Sequence, residues 1–312
     1  MAGLGTNVGT DFTMRARMNG FTSFNDVNVQ LWFYALQGTN AGFMNDRFMP
    51  SVHIEVIEGE LISVTFENQS SDDHTIHWHG LDVDQANDGV ESTSMAIPPF
   101  GSFTYQFIAP HAGTYHYHCH IDTVVHYHRG MAGAVIVRPP GGETDIAWQD
   151  GPSFDEEVLW HLTTYDTAWE SENQSSAITA RHRPNVFLLN GRETADALTC
   201  PFTVVKMGLN ETGYIRVVNQ AYQFARFSLG GLPFQIVATD GRPMPTPITT
   251  DNWLIGTGER YDILFSSNEP YKALATIEYL DEFSSEVLGT VSTVIDIKNS
   301  ALSFGAAGGV GK

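Results

Sequence analysis

Two short segments concentrate the side chains that could do chemistry: His74-Thr-Ile-His77-Trp-His79-Gly80 and His116-Tyr-His118-Cys119-His120-Ile-Asp-Thr-Val-Val-His126-Tyr-His128-Arg-Gly-Met131. Nine of the twelve histidines fall between His74 and His128, in a stretch that also holds Cys119. Imidazole, thiolate and thioether are ligands for a transition metal. On strands, side chains alternate in direction, so His77 and His79 share one face and His118 and His120 share another, while Cys119 points the opposite way. One strand would then serve two sites, a thiolate site and an imidazole site, joined through the peptide links of Cys119.

On the thiolate side, two histidines, a cysteine and a weak methionine make the ligand set of blue copper. Cys119, His126 and Met131 lie in one strand-loop segment, and His74 from the earlier segment would complete the set. On the other side, four imidazoles in two His-X-His pairs suit copper ions that bind and reduce dioxygen, and they exceed the three ligands of a usual mononuclear catalytic site. Two blander readings compete. A lone His-X-His pair is often structural, and a zinc site can be built from His and Cys, although zinc has no use for the methionine or for a doubled cluster.

The elements that must position these residues read as strands. Short β-branched and aromatic runs, such as His53-Ile-Glu-Val-Ile, Leu61 to Phe66, Ser102 to Phe107 and Ala134 to Val137, are separated by Gly, Pro, Asn and Asp clusters. After residue 153 the pattern resumes with runs such as Glu157 to Leu162, Gly213 to Asn219, Pro233 to Gly241 and Arg260 to Phe265. Helical periodicity is hard to find, and the class expected is all-β, as sandwiches or barrels. At 312 residues two domains are expected: residues 1–140, a Pro- and Gly-rich linker at 141–153, a second domain at 154–300 and a flexible tail at 301–312. Glu60 to Asn68 and Gly213 to Asn219 share a strand ending in Asn, which hints at an internal duplication.

Thirty-six acidic residues against 16 Lys and Arg give a net charge of −20, which repels phosphate backbones and anionic lipid and argues against a nucleic-acid or membrane-surface partner. No apolar run approaches a membrane span, and the first residues lack the charged-then-apolar layout of a signal peptide. Cys119 and Cys200 cannot make a disulfide framework, and Cys200 reads as a buried small apolar residue.

These residues resemble the multicopper oxidase family, built from cupredoxin domains, and in particular its small two-domain laccase-like members. The likeness extends through Asp88-Gly89-Val, Ile97-Pro-Pro, Phe103 to Phe107 and Gly113 to His120, and in the second domain through Phe234 to Pro243 and Gly258 to Phe265. It implies two cupredoxin-like Greek-key β-sandwiches. It implies a type 1 copper held by His74, Cys119, His126 and Met131, with His77, His79, His118 and His120 facing a type 2/type 3 trinuclear cluster. A small reducing substrate would give single electrons at the type 1 copper, and Cys119 would conduct them through His118 and His120 to the cluster, where O2 becomes water. Asp88 is a candidate proton relay, its alternative being a turn residue. A periplasmic or secreted location is implied as well.

Three departures from the family pattern stand out. Six residues separate Cys119 from His126 where three-domain laccases have four, which makes His128 a rival to His126, although His126 keeps the usual spacing to Met131. The thiolate is in the first domain only. The second domain holds just His161 and His182, and Arg226 to Phe234 has no histidine where a copper-bearing domain would show His-X-His-Gly. A cluster of the family type takes eight imidazoles, so another subunit or domain must supply half, or the cluster is incomplete. A homo-oligomer is therefore expected, as a trimer or with first domains paired about a two-fold axis. Copper nitrite reductases share the architecture and are the alternative, together with a blue-copper electron-transfer protein. His77 and His120, however, replace the aspartate and the small apolar residue of the reductase pattern. His116 reads as an edge-of-cluster residue, His53, His111 and His161 as ordinary strand or turn residues, and His182 as able to approach a copper only across a subunit contact.

Overall fold

The computed structural model describes residue 4 and residues 7–299; the expected tail at 301–312 lies outside them. Up to Arg138 the chain forms eight strands: β1 (Asp11–Phe24), β2 (Val27–Leu36), β3 (Ile54–Ile57), β4 (Leu61–Asn68), β5 (His77–His79), β6 (Ser102–Ile108), β7 (Gly113–His118) and β8 (Ala132–Arg138). They make two four-stranded sheets, ordered β2-β1-β4-β6 and β3-β8-β7-β5. Alternate residues of both sheets turn inward, Met14, Ile62, Val64, Phe66, Tyr105 and Phe107 from one and Ile54, Val56, Trp78, Tyr115, Tyr117, Val135 and Val137 from the other, and fill one core. The period-2 pattern of β4 shows why: Ile62, Val64 and Phe66 are buried while Ser63, Thr65 and Glu67 are not.

The second half repeats the plan with β9 (Glu156–Tyr165), β10 (Val186–Leu189), β11 (Val205–Gly208), β12 (Thr212–Asn219), β13 (Phe224–Ser228), β14 (Phe234–Thr239), β15 (Arg242–Thr250), β16 (Asn252–Ile255), β17 (Arg260–Ser266), β18 (Tyr271–Leu280) and β19 (Val287–Lys298). Its sheets, β10-β9-β12-β17-β14-β15 and β11-β19-β18-β13-β16, enclose a second core built on Trp160, Ile215, Phe227, Phe234, Ile263, Phe265 and Ile277. Each half is thus a two-sheet sandwich of the cupredoxin-like kind.

Two elements escape the reading of strands from composition. β1 and β2 form a hairpin closed by Asn25 and Asp26, both with positive φ (49° and 63°), the conformation a two-residue turn needs and that Asn and Asp tolerate. Between β7 and β8 a short helix, α1 (Thr123–His128), occupies the long segment between Cys119 and Met131.

The halves meet through buried charge. Arg138 donates to Glu55 at 2.7 Å and makes a fork of two 2.8 Å bonds with Glu157, which also accepts from Arg216. Arg216 in turn reaches Thr114 of the first half at 2.9 Å. The segment 141–153 is docked: Ala147 is buried and packs with Phe154, Tyr214 and Val237. Among the described residues no helix is long and apolar enough to cross a membrane.

Candidate metal centre

β5 and β7 pair antiparallel with His77 opposite His118, Trp78 opposite Tyr117 and His79 opposite His116. The indole and phenol go into the core and the imidazoles to the opposite face, as the pleat requires. The bend before β5 is fixed by Asn68, whose amide donates to the carbonyls of Asp72 (2.7 Å) and Ile97 (2.9 Å). A two-way backbone bridge between His74 and Ile97 then sets His74 under the sheet.

There the buried Cys119 Sγ lies 3.6 Å from His74 Nδ1 and 3.3 Å from His126 Nδ1, and the two nitrogens are 3.2 Å apart. These separations match those of ligands sharing one ion at bond lengths of about 2.0–2.3 Å. Three buried soft or borderline donor atoms converging on one point are the arrangement a shared cation would use, each offering one lone pair. Met131 is fully buried in the same core cluster as Cys119, and its carbonyl accepts from the Cys119 amide at 3.0 Å. His126, rather than its rival His128, is the histidine brought to the sulfur. The donor set, two imidazoles and a thiol, with Met131 buried in the same core, fits copper.

On the opposite side, donor atoms of His77, His79 and His118 converge within 4.8 Å. His79 Nδ1 is 3.4 Å from His118 Nε2. His120 borders the group, its ring 5.3 Å from that of His77 and 5.7 Å from that of His118, with Nδ1 buried and unpartnered. Outer partners orient the rings: His77 Nδ1 meets the Asp88 carbonyl at 2.8 Å and its carboxylate at 3.3 Å, and His118 Nδ1 meets the Cys119 carbonyl at 2.9 Å. Each such bond leaves Nε2 for a ligand role. Asp88 precedes Gly89 (φ +73°) in a bend, and its carboxylate touches His77.

Burial disfavours the charged form of His74, His77, His79, His118 and His126. It lowers His74 and His118 to about 3 and His79 and His126 to about 4, with neighbouring cations or rings adding to the effect. The same burial pushes the Cys119 thiol up to about 11.

Trp32 and Arg260, which the sequence does not single out, border these sites, as does Arg129, which the sequence places beside His128 at the edge of the thiolate site. Trp32 packs edge-on to His126 at 5.0 Å, and Arg129 lies 4.9 Å over its ring. The guanidinium of Arg260, from the second half, lies over Gly80, whose φ of +85° itself favours glycine, and its charge helps hold down the His79 pKa. The Gly258 to Phe265 motif was the one sequence signal that could have marked it. His116 is fully buried and stacked on His79 at 4.5 Å. His53 and His161 are fully buried as well. His182, expected to reach a copper only across subunits, instead contacts His128 of its own chain at 3.3 Å.

The hinted duplication holds at atomic detail. Asn219 donates to the carbonyl four residues on (Gln223, 2.9 Å) and accepts from the amide two residues on, as Asn68 does. Counting from these asparagines, His74, His77, His79 and Gly80 correspond to Ala225, Ser228, Gly230 and Gly231. The second half has the frame without the ligands.

Family models described as multicopper oxidase match residues 30–142 and 158–283. A multicopper oxidase of Mycobacterium tuberculosis is 29% identical over 242 residues, 70% of this chain and 46% of that protein. Laccase-1 of Cryptococcus neoformans is 28% identical over 252 residues, 73% of this chain and 39% of its own length. The chain therefore spans less than half the length of these curated relatives. Among solved structures, the blue copper oxidase from Nitrosomonas europaea superposes with a TM-score of 0.71 at 23% identity, covering 92% of this chain and 85% of that one.

Proposed function

The chain belongs to the multicopper oxidase family, and on that premise we propose that it is a laccase-like oxidase that takes single electrons from a small reduced substrate and passes them to O2, giving water. Members of the family bind copper, which supplies the one-electron steps and the affinity for dioxygen. His74, Cys119, His126 and Met131 would hold the type 1 copper, and His77, His79, His118 and His120 one half of a type 2/type 3 cluster. The observation that carries this reading is the two-sided arrangement at residue 119, thiol to one donor group and flanking imidazoles to another.

The chain's own residues would then divide the work. The Cys119 backbone links the two groups by the shortest covalent route. Asp88, touching His77, would hold and hand over protons. Core burial keeps water from the sulfur. We read the chain as two domains, 1–140 and 154–300, with the second contributing no ligands, so the remaining imidazoles would come from another copy or domain in a homo-oligomeric assembly. A location outside the cytoplasm is part of the same reading.

The test is to count copper per chain, record the visible thiolate-copper band and measure O2 consumption with a phenolic donor beside nitrite consumption with a reduced dye. Copper at both sites with O2 consumption supports an oxidase. Nitrite consumption alone would convert the reading to a reductase, and one copper with neither reaction to an electron carrier.

A further inference from the structure

Helix α1 carries His126, and its local support is slight: a few backbone bonds of its own turns, with Met131 N–H closing on the His126 carbonyl at 3.1 Å. It is six residues long, and its N-cap, Asp122, has φ 41° and makes no side-chain capping bond. A helix this short is not stable alone. Its position must come from what touches it.

Much of what touches it belongs to the second half. The Tyr222 hydroxyl donates to the Val124 carbonyl at 2.6 Å. His182 meets His128 at 3.3 Å and is itself held by Gln223 at 3.1 Å, while Tyr165 stacks on His128 at 4.1 Å. Just past the helix, Arg129 donates to the Glu170 carboxylate at 3.1 Å and to its carbonyl at 2.6 Å. Glu170 is fixed in turn by the Tyr165 hydroxyl (2.7 Å) and the Gln30 amide (3.0 Å). Val125 of the helix packs in one apolar cluster with Trp169 and Ala177. Through Arg129 the grip extends to Trp32, and so to the ring of His126.

We propose that Tyr222, His182 and Glu170 are positioning residues of the type 1 centre: the ligand-free second half clamps α1 and thereby sets where His126 Nδ1 stands relative to Cys119 Sγ. This rests on reading His74, Cys119, His126 and Met131 as the type 1 set. It gives the second half a task in the chemistry even though it holds no ligand. It also explains how the long Cys119–His126 segment keeps its histidine in register.

The experiment uses the full chain with Tyr222→Phe, which removes the bond to the Val124 carbonyl, and Glu170→Gln, which removes the charge opposite Arg129 and leaves the carbonyl bond, neither changing shape. In the metal-free protein, amide exchange of His126 and Arg129 should rise by roughly five- to tenfold in each variant, as the loss of one such bond implies, with exchange of Ile215 in the second core unchanged. In the copper-loaded protein the thiolate-copper band should move and the reduction potential shift, with copper bound by the imidazole group unaltered. His182→Gln serves as the third variant should either of the others fail to fold. Folded variants with unchanged α1 exchange, band and potential overturn the proposal. A wild-type protein with no thiolate-copper band would instead sink the copper reading, while the exchange measurements would still decide whether the clamp exists.

Discussion

His118 and Cys119 are joined twice, by their peptide bond and by a 2.9 Å hydrogen bond from the His118 ring to the Cys119 carbonyl, although their side chains lie on opposite sides of β7. The ring's other nitrogen is left facing His79, and the sulfur faces His74 and His126. The two donor groups are therefore coupled through a few bonds while sharing no ligand atom.

Cys119→Ser should remove the visible thiolate-copper band and lower copper content by the equivalent of that one site, leaving the copper bound by the imidazole group. Turnover should fall by at least about 100-fold, since even the outer partners of a metal cost about 10- to 100-fold. Metal analysis and absorption of the purified variant check this; unchanged absorption would contradict the assignment of the sulfur.

Copper uptake should release a proton from Cys119. Its thiol is pushed up to about 11 by burial and is protonated at neutral pH, whereas His74 and His126, lowered to about 3 and 4, have none to lose. Apparent affinity at this site should therefore rise by about tenfold per pH unit between about 6 and 9. Cuprous-ion titrations at several pH values measure the slope, and a flat profile would be inconsistent with a protonated thiol.

Acid should destabilise the metal-free fold before its carboxylates matter. His161, lowered to about 3 by burial, binds its proton only on unfolding between its unfolded value and that pH, so the stability it contributes is complete above about 6.5 and is lost as pH falls toward 3. Within that window it steepens the decline by up to about 1.4 kcal/mol per pH unit. Denaturant melts of wild type and His161→Phe between pH 7 and 4 should show a shallower decline in the variant.

Glu157→Gln should cost about 3–5 kcal/mol, because it leaves the two buried guanidinium groups of Arg138 and Arg216 with only Glu55 and the more distant Asp262 (3.7 Å) to compensate them at the junction of the halves. Equilibrium unfolding measures it. A loss below about 1 kcal/mol would mean that the network contributes little to stability.

The candidate site was legible because its signal is local. Alternation along a strand is enough to separate Cys119 from His118 and His120, and spacing to Met131 is enough to favour His126 over His128. The all-β class was legible for the same reason, from runs such as Ile62, Val64 and Phe66. The β1–β2 hairpin had a readable signal in Asn25-Asp26 that strand composition alone passes over. What could not be read is non-local: that Tyr222 and His182 would meet α1, that Arg260 would stand against Gly80, or that a histidine-poor half would pack its residues around a histidine-rich one. Helix α1 hides as well, since six residues give too little of a 3.6-residue period to detect.

The paired bends at Asn68 and Asn219 carry a consequence for how such proteins can change. Each bend is closed by amide groups of its own chain, so neither waits for an ion to form it. A copy of this sandwich can shed its metal-binding residues, or regain them, by ordinary point substitution while keeping its shape.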